Sequence, residues 1–201
     1  MTAVNLLDFE GVHLGSEGKG ALAQLLQTPA IGAVSRWVWL AYDQLNLDFL
    51  SSLETKESLG VVFIESSDKG QRRPYHQQKL GVLLSNQRHA AVEFQETGVP
   101  VLYLISDMTY ADVLRQFSAV AGTIHAFKHA ERELRVEVEP LVREGLLHLH
   151  HHPGWLTPRS WFKESVGDQP PYRMDAFYRK VKRICYFTLS RDFRKTSKRN
   201  Y

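Results

Sequence analysis

Five short apolar runs punctuate the chain, and each stops abruptly in polar or charged residues. Trp37-Val38-Trp39-Leu40-Ala41-Tyr42 gives way to Asp43-Gln44-Leu45-Asn46, and Gly60-Val61-Val62-Phe63-Ile64 to Glu65-Ser66-Ser67-Asp68. Val99 to Ile105 ends at Ser106-Asp107, Thr123 to Phe127 at Lys128-His129, and Leu146 to His150 at two further histidines. Unbroken runs of this length, rich in β-branched and aromatic residues, predict strands buried on both faces. The segments between them have a helical period. Gln77 to Gln95 brings Leu80, Leu83, Leu84, Gln87, Ala91 and Phe94 near one face, with Gly98 as its stop. Tyr110 to Ala121 stops at Gly122, and Glu131 to Glu144 is a further crossover-helix candidate, with Pro140 as its candidate break point. Strand and helix in strict alternation predict an α/β fold: a Rossmann-like open parallel sheet of five strands flanked by helices.

The flanks read differently. Residues 1–35 hold five glycines and Pro29 and show little periodicity beyond a short helix over Ala21 to Leu26, so they are taken as an N-terminal extension. Residues 36–170 form the α/β domain, including a short helix capped by Thr157 with Pro158 in its first turn. After Pro170-Pro171, residues 171–201 form an amphipathic helix from Arg173 to Tyr186 and a basic tail.

Composition narrows the class. With 201 residues, 43% apolar and 23% charged, the chain can bury one sizeable core, which excludes a disordered or collagen-like protein. Its one cysteine, Cys185, excludes an internal disulfide and any cysteine-built metal cluster within these residues. No apolar run is long enough to span a membrane. Asp8 and Glu10, without a basic stretch before them, predict no secretory leader, and a reducing cytoplasm is the expected compartment. The net charge of +3 is split unevenly. Nine Lys/Arg against one acid fall between Arg179 and Tyr201, leaving 16 basic and 21 acidic residues, or −5, in the rest. Such a tail attracts phosphate groups without reading sequence, or it is simply a solvated helix end.

Ligands of open parallel sheets bind beyond the carboxyl ends of the strands, where strand order reverses. Three clusters fall there: Tyr42, Asp43, Gln44 and Asn46; Glu65, Ser66 and Ser67; and Lys128, His129 and Glu131. Carboxylates and amides accept from ring N–H groups and hydroxyls, which suits a neutral heteroaromatic ligand better than a triphosphate. Spacing alone leaves loop solvation and ligand binding as equal readings. No Gly-x-Gly-x-x-Gly follows the first strand, and Gly15-Ser16-Glu17-Gly18-Lys19-Gly20 lacks the Ser/Thr that a phosphate loop carries after its lysine. His148 and His150 fall on one face of a strand, but no third ligand completes a zinc site. Ser85 and Ser160 lack a nucleophile-elbow setting.

Several pieces resemble one family in order. Asp43-Gln44-Leu45 is similar to an Asp-Gln-Leu turn after the first strand of deoxyribodipyrimidine photolyase-related proteins, the bacterial iron–sulfur branch of the photolyase and cryptochrome group. Glu65 followed by His76-Gln77-Gln78-Lys79 resembles that family's acid after the second strand and its His-x-x-Lys helix start. Ser85-Asn86-Gln87-Arg88-His89 and Arg173-Met174-Asp175-Ala176-Phe177-Tyr178-Arg179 resemble its Ser-x-x-Arg-His segment and its Arg-Met-x-x-Phe-Tyr-Arg helix. The likeness runs from about Arg36 to Ile184. Two departures stand out: Tyr42 occupies the place of a glycine before Asp-Gln-Leu, and Ala130-Glu131-Arg132-Glu133-Leu134-Arg135 stands where the family has Glu-Pro-Gly-Glu-Trp-Arg.

The resemblance implies a photolyase-type N-terminal α/β domain holding an antenna chromophore of the 6,7-dimethyl-8-ribityllumazine type. Asp43 and Glu65 are then expected to anchor ring or ribityl hydrogen bonds, Gln44 to orient the ligand, and His76 and Lys79 to line the site. The family's helical domain, which carries FAD, a four-cysteine iron–sulfur cluster and the DNA lesion site, has no counterpart in these residues. FAD and cluster are therefore not expected in this chain, and DNA is reached only indirectly or through the basic tail. The competing expectation is a non-enzymatic module that docks on a separate helical FAD-binding partner.

Overall fold

Both faces of the sheet are covered, and that is why the apolar runs read as unbroken. The computed structural model describes residues 9–17, 20–53, 58–155 and 157–184. Two compact units divide the chain, Met1–His152 and Pro153–Tyr201. In the first, the elements run β1 (Val12–Leu14), α1 (Ala21–Leu25), β2 (Arg36–Trp39), α2 (Asp48–Ser51), β3 (Leu59–Ser66), α3 (Ser67–Gln71), α4 (Gln77–Glu96), β4 (Val101–Ser106), α5 (Tyr110–Ala121), β5 (Ile124–Phe127), α6 (Arg132–Arg143) and β6 (Leu147–His150). The sheet order is β1-β4-β3-β2-β5-β6. All pairs are parallel except β1 with β4.

The five predicted strands are all present, so the α/β Rossmann-like class holds, but the sheet has six strands. The addition is β1, from the segment read as an extension: Val12, His13 and Leu14 pair antiparallel with Ser106, Ile105 and Leu104. Three residues are too few to show a period. The order reverses at β2, which has β3 and β4 on one side and β5 and β6 on the other.

Alternation along each strand sorts side chains into two cores. Trp37, Trp39, Val62, Ile64 and Leu102 pack on one face with Val113, Leu114 and Phe117 of α5 and Leu134, Val138 and Leu141 of α6. Val38, Leu40, Val61, Phe63 and Val101 pack on the other with Ala90, Ala91 and Phe94 of α4. Edge-to-face ring pairs lock each layer, Trp37 on Phe117 at 5.5 Å and Phe63 on Phe94 at 5.6 Å. Gln87, on the inner face of α4, is 2% exposed and donates to the Ile64 carbonyl at 3.0 Å, so its burial leaves no donor stranded against the strand.

Helix ends follow their sequence signals, with two corrections. The Thr109 side chain caps α5, and Gly122, at φ +74°, ends it. Pro140 does not break α6, which continues to Arg143. Pro140 and Val136, whose carbonyl loses its helical partner, both face solvent, where water can replace the missing donor.

In the second unit, α7 (Arg159–Val166) starts after Pro158, and no side chain caps it, so Thr157 does not play the predicted role. A further helix runs over residues 174–184. Phe162 joins the two, its ring 5.3 Å from Tyr172 and 5.4 Å from Phe177. Cys185, Tyr186 and the basic tail from residue 185 onward lie outside the described residues, as do Gly18 and Lys19. Among the described residues no helix is long and apolar enough to cross a membrane.

One strand position tests how tightly the layers close. A Cβ on Gly60 would lie 2.8 Å from Val34 Cγ1 and 2.9 Å from Trp37 Cζ3. Gly60→Ala is expected to destabilise the fold by about 1–3 kcal/mol, read as a lower urea midpoint. An unchanged midpoint would show that this face is looser than these distances say.

Candidate functional site

Where the strands run out of apolar residues, a cleft of about 950 Å³ opens over their carboxyl ends. Tyr42 and Asp43 enter it after β2, Glu65 and Ser66 at the end of β3, and Ser106 and Asp107 around the end of β4. Ala130 and Glu131, between β5 and α6, close one side, and His13 of β1 also reaches it. α3 and the start of α4 also line it, where Leu80, Leu83 and Leu84 present an apolar surface together with Tyr75. The spacing of these leucines, i, i+3 and i+4, reads in sequence as core. In the fold all three are only partly buried, and they line the cleft instead.

Tyr42 stands at the point of strand reversal. Its hydroxyl donates to Glu131, and Lys69 of α3 donates to the same carboxylate at 2.5 Å. Burial works against the Glu131 charge, but the bonds from Lys69 and Tyr42 hold its carboxyl below the ordinary range. Burial, reinforced by Glu131, pushes the Tyr42 hydroxyl far above the usual tyrosine value. Lys69 is 8% exposed, a depth that a lysine tolerates only with a partner of this kind. The sequence contains no signal for this triad, since α3 and the β5–α6 turn meet only in the fold.

The predicted site residues separate into two groups. Asp43, Glu65 and Lys79 all line the cleft. Asp43 is exposed at its mouth, and partial desolvation raises its pKa. Glu65 is held in place: Arg88 approaches it bidentately, at 2.7 and 3.0 Å, and Tyr103 donates to it at 3.0 Å. Lys79 sits over the Tyr75 ring, 5.2 Å from its centroid. Gln44 and His76 lie elsewhere. The Gln44 amide is 1% exposed and donates to the Phe127 and Lys128 carbonyls at 3.2 and 3.4 Å, tying the turn after β2 to the end of β5. His76 caps α4, its Nδ1 accepting from the Gln78 amide at 3.2 Å.

Outside the cleft, histidines gather on β5 and β6. His125 Nδ1 and His150 Nε2 are 2.7 Å apart, and the His148 ring is 4.7 Å from that of His150. Burial and the neighbouring His148 lower the His150 pKa. Among the described residues no group of three or more His, Cys, Asp or Glu could hold a metal ion. Beside the cleft, His129 is 1% exposed with its ring 4.7 Å from that of Trp39, and neither ring nitrogen has a partner among the described residues. Burial first, then the Arg135 charge, drops its pKa to about 4.

A family model described as deoxyribodipyrimidine photo-lyase-related protein matches residues 38–191. A search of curated proteins found no match.

The buried imidazole makes acid stability a direct readout of this corner. A folded-state pKa below the unfolded value means that the unfolded chain binds the extra proton, so stability is full above about pH 6.5 and is lost as pH falls toward 4. The His129 contribution to that loss is on the order of 3 kcal/mol. His129→Phe is expected to flatten the dependence of the urea midpoint on pH between 6.5 and 4. A variant as acid-sensitive as the parent would place the responsible proton elsewhere.

Proposed function

Because this chain belongs to the deoxyribodipyrimidine photo-lyase-related protein family, we propose that its cleft holds a flat heteroaromatic chromophore of the 6,7-dimethyl-8-ribityllumazine type, in an antenna role. One observation carries this reading: Asp43 and Glu65, from neighbouring strands, open on the same cleft as a tyrosine and a leucine wall. A planar ring gains from Tyr75 and from Leu80, Leu83 and Leu84, which supply apolar and aromatic surface at low entropic cost. Asp43, at the mouth, accepts from ring N–H or ribityl hydroxyl groups. Glu65, oriented by Arg88 and Tyr103, accepts from a deeper group through the lone pairs those partners leave free. Gln44 and His76 act at one remove, by fixing the β2 turn and the start of α4.

A second reading has its own support. The second unit exposes Trp155, Tyr172, Met174 and Tyr178, between 46% and 66% accessible. Apolar exposure of this kind suits docking on a separate helical FAD-binding partner, through which DNA would be reached. Co-purification with a flavin-bearing helical chain, lost on Met174→Ser with Tyr178→Ser, would favour it. A partner retained by the double variant would count against it.

Titration with ribityllumazine tests the first reading. Saturable quenching or a spectral shift at micromolar protein is expected. Asp43→Ala is expected to weaken binding roughly tenfold, the worth of one hydrogen bond to a charged group. Because Asp43 is exposed, the substitution should leave folding intact. No saturable signal from the parent protein would end the proposal.

A further inference from the structure

The cleft is built from the same strand ends that hold phosphates in many open α/β sheets, yet several of the groups that would hold one are already in use. Phosphate recognition at such an edge needs free amides at a helix N-terminus, a spare cation, or both. One first-turn amide each of α3 and α4, and two of α5, are engaged. The Lys69 amide of α3 donates to Ser66 Oγ, and the Gln78 amide of α4 to His76. At the start of α5 the Asp112 amide donates to Thr109 Oγ1, and the Ala111 amide to the Glu137 carboxylate at 3.2 Å. The start of α6 carries the carboxylates of Glu131 and Glu133, the sign opposite to what an anion requires.

Two of the cations at the cleft are engaged as well. Lys69 is bound to Glu131, and Arg88 is bidentate on Glu65. Just beyond the cleft, Arg72 and Arg73 are paired with Glu137 and Glu133. Lys79 remains, exposed and resting over Tyr75. The lining carries four carboxylates, Asp43, Glu65, Asp107 and Glu131, against Lys69, Lys79 and the Arg88 guanidinium that sits on Glu65. An incoming phosphate would meet a surplus of negative charge and lose its hydration without recovering it.

We infer that this cleft selects against phosphorylated ligands and takes a neutral, phosphate-free heterocycle, so that the free polyol form of a chromophore binds and its phosphate ester does not. The inference rests on the ligand-binding reading above and adds the discrimination to it. The selecting groups are carboxylates that also position the cleft walls, Glu131 through Lys69 and Tyr42, and Glu65 through Arg88 and Tyr103.

The test compares ribityllumazine with its ribityl 5′-phosphate, which share ring and chain. At low ionic strength the phosphate ester is expected to bind at least roughly tenfold more weakly, and the ratio should shrink as added salt screens the cleft charge. Two variants should also narrow the ratio: Glu131→Gln, which removes one carboxylate and loosens Lys69, and Asp107→Lys, at an exposed position that leaves the core untouched. Equal or tighter binding of the phosphate ester would overturn the selectivity while leaving the cleft reading in place. Binding of neither compound would overturn the cleft reading and the selectivity with it. Amide spectra in the presence of inorganic phosphate supply a check independent of the ring. No saturable shift is expected in the first turns of α3 or α5, and one there would overturn the inference.

Discussion

Everything polar in the first unit is governed by the sealing of its sheet on both sides. Val38, Trp39, Leu40, Val61, Val62 and Phe63 are all at or near zero exposure, and helices cover both faces. A strand so placed has no solvated face on which to carry a functional side chain. Its chemistry must emerge at its ends, and at the carboxyl ends the crossovers have not yet closed over the sheet. The cleft is a geometric consequence of that packing, and so is the concentration there of Tyr42, Asp43, Glu65, Ser106 and Asp107.

What keeps this edge in shape is ionic. Around α3, three basic residues, Lys69, Arg72 and Arg73, pair with Glu131, Glu137 and Glu133 along the first half of α6. These pairs join the β3 side of the sheet to the β5 side across the strand reversal. Such pairs contribute modestly one at a time, but as a set they fix the relative position of the two elements. Glu137 does double duty, accepting from Arg72 and from the Ala111 amide, so α5 joins the same lattice. Site geometry and local stability thus draw on the same carboxylates.

The readable part of the molecule is the part fixed by burial. Five strands, the crossover helices and the glycine stops follow from runs and periods that packing imposes on composition. Edges and pairings are another matter. β1 has three residues and gains its meaning from β4, about 90 positions later, so no local period announces it. Lys69 and Glu131 are 62 residues apart, and nothing in either neighbourhood marks a lysine that will be buried. Glu65 and Arg88 stand in separately recognisable segments, but their bidentate contact belongs to the fold alone. Gln44 shows the opposite difficulty. An amide after a strand looks like a ligand group, but backbone carbonyls exposed by the end of β5 claim it first, because leaving them unpaired at that depth costs more than losing one ligand contact.

Tyr42 concentrates these themes in one residue. A glycine at that position would leave the reversal between β2 and β5 open and Glu131 with Lys69 as its chief partner. The tyrosine places its ring there and adds a second donor to the carboxylate, which strengthens the hold on Lys69. It therefore both narrows the crevice at the reversal and stiffens the wall beside it. The open cleft extends from this edge over the ends of β3 and β4, against the leucines of α4 and the ring of Tyr75. Substituting a large aromatic for a small residue at a strand end does not abolish a binding edge in this sheet. It makes the acid at its flank less available to a ligand, because that acid already has two donors.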